Sequence, residues 1–331
     1  MGKFLEHEKQ YLVGFKATSS YFTKAARTEG IYKGHPYPFC LPRIYAEENL
    51  VPEIRDTVLA YFQRYEIKWH DGQDHKPSNH LCDSQVCCVN FLFPFAHRPA
   101  QLATMLSPVY PNIKTMLKIE NGQFVACEWI GEHNYLGEKL PKHGKRPRGA
   151  LFTSADAAVM FERQDGRRQF VLIEWKYTEA YYPTDLAIAA SGTDRREIYR
   201  RLYESSDCPL DRARLSDYAS YDALFFEPFY QLMRQQFLAH EMERAKELGA
   251  DIVSVLHIAP HHNRDFRRVT SAKLKPLGDS AVDVWKALTP PDRFASVSTE
   301  DLFGRLLHAP LPEMQAWQAY IAARYPWVSP D

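Results

Sequence analysis

Two segments, residues 154–161 (SADAAVMF) and 170–176 (FVLIEWK), constrain the fold of this chain more than any other feature. Each reads as a buried β-strand carrying charge that a core does not choose. In the second, Phe170, Val171, Leu172 and Ile173 form an apolar, β-prone run that closes on Glu174 and Lys176. Side chains along a strand alternate with a period of two, so both charges point to one face. Between the segments, Asp165-Gly166 is a strong hairpin-turn signal. Folding that hairpin back brings Asp156 beside Glu174, and two carboxylates and an ammonium then share one small site.

Such a site has a chemical use. Carboxylate oxygens suit a hard divalent cation such as Mg²⁺, which keeps several waters and accepts phosphate oxygens as further ligands. The metal polarises a phosphodiester and activates a water. An adjacent lysine orients that water or stabilises the developing negative charge. An isolated Glu-x-Lys reads more simply as a strand-end ion pair; the apolar run, the hairpin and the upstream Asp156 favour the metal site.

Asp156, with Glu174, Trp175 and Lys176 closing a hydrophobic strand, resembles the PD-(D/E)XK nuclease signature, with Ala155 where that name has proline. Residues 153–156 (TSAD), 173–179 (IEWKYTE), 80–90 (HLCDSQVCCVN) and 230–235 (YQLMRQ) are similar to a bacterial branch, the PGN_0703-like restriction endonuclease-like proteins. The resemblance covers residues 45 to 265. It implies an α/β fold with a restriction-endonuclease-like α-β-β-β-α-β core, a mixed central sheet flanked by helices. It implies catalytic roles for Asp156, Glu174 and Lys176, and Mg²⁺ (Mn²⁺ substituting) held by Asp156, Glu174 and the backbone carbonyl of Trp175. The implied reaction is phosphodiester hydrolysis in nucleic acid, DNA favoured over RNA. Four further residues are auxiliary candidates. Gln85 lies on the helix where many members of the superfamily carry an acid. Glu128, in the first core strand, is a third acidic ligand, a partner for Lys176, or a surface residue. Gln231 and Gln235, four residues apart, share a helix face and position a phosphate or merely satisfy boundary hydrogen bonds.

Three regions are expected. Residues 1–80 form an N-terminal extension, without long elements to residue 44 and with a helix over 45–65. Residues 81–265 form the nuclease-like core, with an insertion over 180–226. Residues 266–331 form a helical segment packed on the core, with helices around 283–288 and 314–325. Within the core, one helix starts at Asp83 or Ser84 and breaks at Pro94, and another runs from Pro99 to Leu106. Strands follow at 124–130, 154–161 and 170–176. Glu227-Pro228 opens a long helix whose stripe is Phe229, Leu232, Met233, Phe237 and Met242, and Gly249 stops it. A strand at 251–259 then suits a parallel crossover.

A chain of 331 residues, 45% hydrophobic, holds one large domain or a core with insertions and is not a disordered protein. Its 41 basic and 41 acidic residues weigh against coating nucleic acid by net charge alone. Local basic groups are therefore the candidates for phosphate contact. One is a Gly- and Pro-rich loop carrying Lys139, Lys142, Lys145, Arg146 and Arg148; the other is a helix with Arg196 and Arg200 on one face. A solvated face is the plain alternative for both. The six cysteines include no CxxC pair, so reduced thiols are expected. His80, Cys82, Cys87 and Cys127 would be the ligands of a structural zinc. A metal reading of His257, His261 and His262 is weakened by Pro260 between them. No apolar leader and no run of about 18 apolar residues occurs, which leads us to expect a cytoplasmic enzyme with no membrane partner. No helix-turn-helix, zinc finger or RNA-binding motif stands out, and the oligomeric state is left open, a homodimer included. Two other readings compete: a non-catalytic nucleic-acid-binding or assembly subunit on the same fold, and a hydrolase of a small phosphorylated substrate. The complete Asp156, Glu174 and Lys176 set argues against the first, and the basic stretches against the second.

Overall fold

The computed structural model describes residues 2–73, 75–141 and 144–329. The chain opens with α1 (Lys3–Thr18), where the sequence predicts no long element. Phe4, Glu8, Leu12 and Phe15 are its buried face, at helical spacing. Glu8 disguises that stripe: the acid is buried because the Tyr177 hydroxyl and the Trp327 indole N–H both donate to it. A small hairpin, β1 (Gly30–Tyr32) and β2 (His35–Tyr37), follows. The helix predicted over 45–65 is shorter. Leu50 and Val51 are extended ahead of Pro52, which disfavours a helical residue before it, so only α2 (Arg55–Arg64) is α-helical. Next, α3 (Ser84–Leu92) starts at Asp83, whose carboxylate accepts the Val86 N–H at 2.8 Å, and α4 (Pro99–Leu106) starts at its proline.

The sheet begins with β3 (Ile113–Leu117) and β4 (Val125–Trp129). Both lie antiparallel along the same edge of β5 (Ala155–Arg163), interrupted by residues 118–124. The sequence pattern misses β3, since its middle residues Lys114 and Thr115 are exposed and polar at an edge. The hairpin turn at Asp165-Gly166 leads into β6 (Arg168–Trp175), antiparallel to β5, with Ala157 opposite Ile173. Two helices, α5 (Arg195–Glu204) and α6 (Arg212–Ser216), occupy the polar stretch before α7 (Phe229–Arg244). The long helix stops five residues before Gly249, which instead ends a short 3-10 turn. It crosses to β7 (Ile252–Ala259), parallel to β6. Beyond the expected α8 (Ala281–Leu288), β8 (Phe294–Ser298) adds a second parallel strand beside β7. The C-terminal stretch thus supplies a strand as well as helices, and closes with α9 (Thr299–Leu307) and the expected α10 (Gln315–Arg324). Only two of β8's five residues, Phe294 and Ser298, are buried, too few for a strand signal.

The result is a mixed six-stranded sheet between helices, compatible with a restriction-endonuclease-like core. Strands β5, β6 and β7 are buried on both faces, so they read as near-continuous apolar runs. One face packs Val171, Ile173 and Trp175 against Val86, Phe91, Phe303 and Tyr325. The other packs Phe170 and Leu172 against Met233, Phe237 and Trp285. Among the described residues no helix is long and apolar enough to cross a membrane.

Phe91 ties α3 to the sheet and to the C-terminal helices, since its ring lies about 5 Å from those of Trp175, Phe303 and Tyr325. Phe91→Ala should destabilise the fold by about 3–5 kcal/mol, the usual cost of emptying a buried aromatic site. Denaturant unfolding measures it; a loss below about 1 kcal/mol would show that the two halves do not depend on this contact.

Candidate active site

Strand register builds the site. Stepping the β5–β6 pairing one residue past Ala157 and Ile173 sets Asp156 opposite Glu174. The β4–β5 pairing sets Glu128 opposite Asp156, between the Cys127–Ala157 and Trp129–Ala155 pairs. On the other side Glu174 pairs with His257, and His257 with Ser296. One row thus crosses five strands as Glu128, Asp156, Glu174, His257 and Ser296. Residues opposite one another in a sheet share a face, and for Asp156, Glu174, His257 and Ser296 it is the face covered by α7. Glu128 departs from regular strand geometry, with a φ of 51°. That residue breaks the alternation: Trp129 packs with the core on the α7 side, away from Cys127.

Glu174 and Lys176 are buried and Asp156 is half-buried. At the end of the ladder the Asp156 carboxylate takes over from the backbone, and its Oδ2 accepts the Trp175 N–H at 2.7 Å. The Lys176 ammonium donates to Glu174 Oε1 at 2.5 Å and to Gln231 Oε1 at 2.7 Å. Gln231 also accepts the Tyr181 hydroxyl at 3.3 Å. Glu174 Oε2 is buried and has no partner among the described residues. Glu128 is held apart from this group. Gln85 Nε2 donates to its Oε1 at 2.6 Å, and the Ser154 hydroxyl to its Oε2 at 2.6 Å. Gln85 also accepts the His70 N–H at 2.7 Å, and Gln235 donates to the Ser154 carbonyl.

The electrostatics follow from this crowding. Burial, then the neighbouring Glu174, push the Asp156 carboxyl well above the usual range. Burial likewise raises Glu174, against the pull of Lys176, and raises Glu128. Burial disfavours the Lys176 charge, but Glu174, Tyr181, Glu179 and Asp156 together outweigh it, and the ammonium holds its proton well above the ordinary lysine value. Burial, then the Lys176 charge, hold His257 down to about 3, so it stays neutral and shares a hydrogen bond of 3.0 Å with Ser296. The row thus has one ammonium among three carboxylates. The unpartnered Glu174 oxygen and the half-buried Asp156 fit a divalent cation. Among the described residues no group of three His, Cys, Asp or Glu side chains is placed to hold a metal. A cation here would rest on two carboxylates plus backbone carbonyl and water, the donor set Mg²⁺ favours.

The other sequence candidates lie elsewhere. Arg146 donates to the carbonyls of Ile130, Gly131 and His133. Arg148 grips Glu120 and the carbonyls of Cys127 and Glu128. Lys145 pairs with Glu66 at 3.3 Å, and Lys142 falls outside the described residues. Lys145, Arg146 and Arg148 line a cavity of about 650 Å³, which also takes in Tyr65, Lys68, Trp129 and Leu151. Arg196 pairs with Asp194 and Asp222, and Arg200 with Glu197 and Glu204. His261 and His262 bond Glu300, away from His257. Cys82, Cys87 and Cys127 are buried free thiols whose ionisation burial opposes. Sequence reasoning passed over Ser154 and Arg234. The helical period was the available signal for Arg234, because it lies three residues after Gln231 and shares its face.

Asp156 keeps its proton to a higher pH in the fold than in the unfolded chain. Between those two values the folded state binds more protons, so stability falls as pH rises through that window and stays reduced above it. Asp156→Asn retains an acceptor for the Trp175 N–H. Without metal it should melt above the parent at neutral pH, and the gain should shrink as pH falls toward the ordinary carboxylate value. Thermal melts in EDTA across that range check this; a gain independent of pH contradicts it.

A protein-family model described as Restriction Endonuclease associating with ARP matches residues 8–326. No curated protein and no solved structure matches the chain.

Proposed function

The chain belongs to the family described as restriction endonuclease associating with ARP, and on that premise we propose that it is a PD-(D/E)XK-type, Mg²⁺-dependent nuclease that hydrolyses phosphodiester bonds, in DNA rather than RNA. The observation that carries this reading is the Asp156–Glu174 cross-strand pair with the Lys176 ammonium 2.5 Å from Glu174. Asp156, Glu174 and the Trp175 carbonyl would hold the cation, Mg²⁺ or Mn²⁺. When bound, it supplies Lewis-acid polarisation of the phosphodiester and a lowered pKa for water.

The chain's own residues do the rest. Gln231 holds Lys176 from the α7 side, so the ammonium stays fixed between an amide and a carboxylate. With a phosphate seated at the two carboxylates, that ammonium would lie beside it. There it stabilises the negative charge that grows as a water oxygen bonds to phosphorus and the leaving oxygen departs. Gln85 and Ser154 keep Glu128 from competing for Lys176.

Labelled single- and double-stranded DNA and RNA, incubated with Mg²⁺, Mn²⁺ or EDTA, test the activity. Cleavage of DNA that EDTA abolishes is expected. Asp156→Ala and Glu174→Ala should each lose both cation binding, read by calorimetry, and cleavage. Lys176→Ala should keep cation binding and lose on the order of a hundredfold in rate, as when one electrostatic donor is removed. Undiminished cation binding in both carboxylate variants would discard the metal site. DNA binding without cleavage under all these conditions would leave a non-catalytic subunit.

A further inference from the structure

Beside the carboxylate row, two arginines sit without carboxylate partners. Arg234 lies on α7 between Gln231 and Gln235, both of which reach the site. It is partly buried, and its guanidinium packs over the Tyr230 ring, 4.6 Å from the centroid. Its Nη1 donates to the Thr153 hydroxyl at 3.3 Å, and its Nε is buried with no acceptor among the described residues. Arg195, the first residue of α5, packs over the same ring at 5.4 Å and donates to the Leu186 carbonyl at 2.9 Å. Among the described residues neither has an Asp or Glu oxygen within 4.0 Å, whereas Arg196 and Arg200 each pair with two acidic residues. The nearby carboxylate of Glu138 is already engaged by the Thr153 N–H, the Thr153 hydroxyl and the Tyr199 hydroxyl. The charge of Arg234 is felt at Glu174, where it favours the ionised form.

A half-buried guanidinium has five donors in a rigid fork and is rarely left without acceptors. That fork matches two oxygens of a phosphodiester. Packing on the Tyr230 ring holds both guanidinium groups at one place without neutralising either. We propose that Arg195 and Arg234, positioned by Tyr230, are a binding site for the phosphodiester backbone of a nucleic acid and seat the strand beside Asp156 and Glu174. This rests on the nuclease reading. It also explains what α5 does: the helix inserted between β6 and α7 delivers one of the two cations. A contact of this kind grips every sequence alike.

The test is binding of a short fluorescein-labelled DNA, as duplex and single strand, followed by anisotropy in EDTA over a range of salt. Arg195→Gln with Arg234→Gln should weaken binding and reduce the slope of log affinity against log salt by about 0.7–0.9 for each lost contact. Arg200→Gln, at a paired and exposed arginine, should leave the slope unchanged. The melting temperature of the double variant without DNA should hold or rise, because unpaired charges are removed from a half-buried place. If the double variant does not fold, Arg195→Gln alone and the charge-retaining Arg234→Lys carry the test: the first should reduce the slope by one contact, and the second should keep it. An unaltered slope in a folded double variant overturns the site, and cleavage of the same DNA by the parent protein would then leave the nuclease reading standing. A parent protein that neither binds nor cleaves the DNA overturns both.

Discussion

Everything in the site depends on one register: β5 and β6 pair so that Asp156 stands opposite Glu174. Because strand side chains alternate, a slip of one residue would send Glu174 into the face that packs Trp175 and Ile173 and bring an apolar residue into its place. The register is secured from both sides. The Asp165-Gly166 turn closes the hairpin, and β7 continues the sheet in parallel on the far side of β6. The apolar residues of β5, β6 and β7 therefore position the charged ones, and the hydrophobic core holds them rigidly.

Holding like charges in a buried row is unfavourable, and the fold answers each charge differently. Lys176 offsets Glu174 directly. Gln85 and Ser154 satisfy Glu128 with hydrogen bonds. Among the described residues, Asp156 receives only a backbone N–H, and one Glu174 oxygen receives nothing. That uneven treatment distinguishes Glu128, whose two oxygens are both engaged, from Asp156 and Glu174. His257 completes the contrast: in the same row, beside an ammonium, it remains neutral and bonds a serine.

Cations on this chain divide in the same way. Arg146 and Arg148 staple the loop before β5 to backbone carbonyls and to Glu120. Arg196 and Arg200 satisfy acids of their own helix and its neighbours. Each stands out in the sequence because basic residues cluster there, yet clustering says nothing of the acids that fold against them. Arg195 and Arg234 stand out only once those pairings are known.

The sequence by itself determined the hairpin, the strand period that aligns Glu174 with Lys176, the long helix opening at Pro228, and the parallel return strand. All of these are local: turn chemistry, periodicity and helix-start signals act within a few residues. It did not determine α1, whose stripe includes an acid satisfied by Tyr177 and Trp327 from the far end of the fold, nor the edge strands β3 and β8, whose residues are half exposed. Tertiary structure alone decided that Glu128 is held by Gln85, that Gln231 bonds Lys176, that His257 joins the carboxylate row, and which arginines keep free donors. Those outcomes depend on which chains meet across the sheet. A side chain's partners, unlike its periodicity, are set by residues tens or hundreds of positions away.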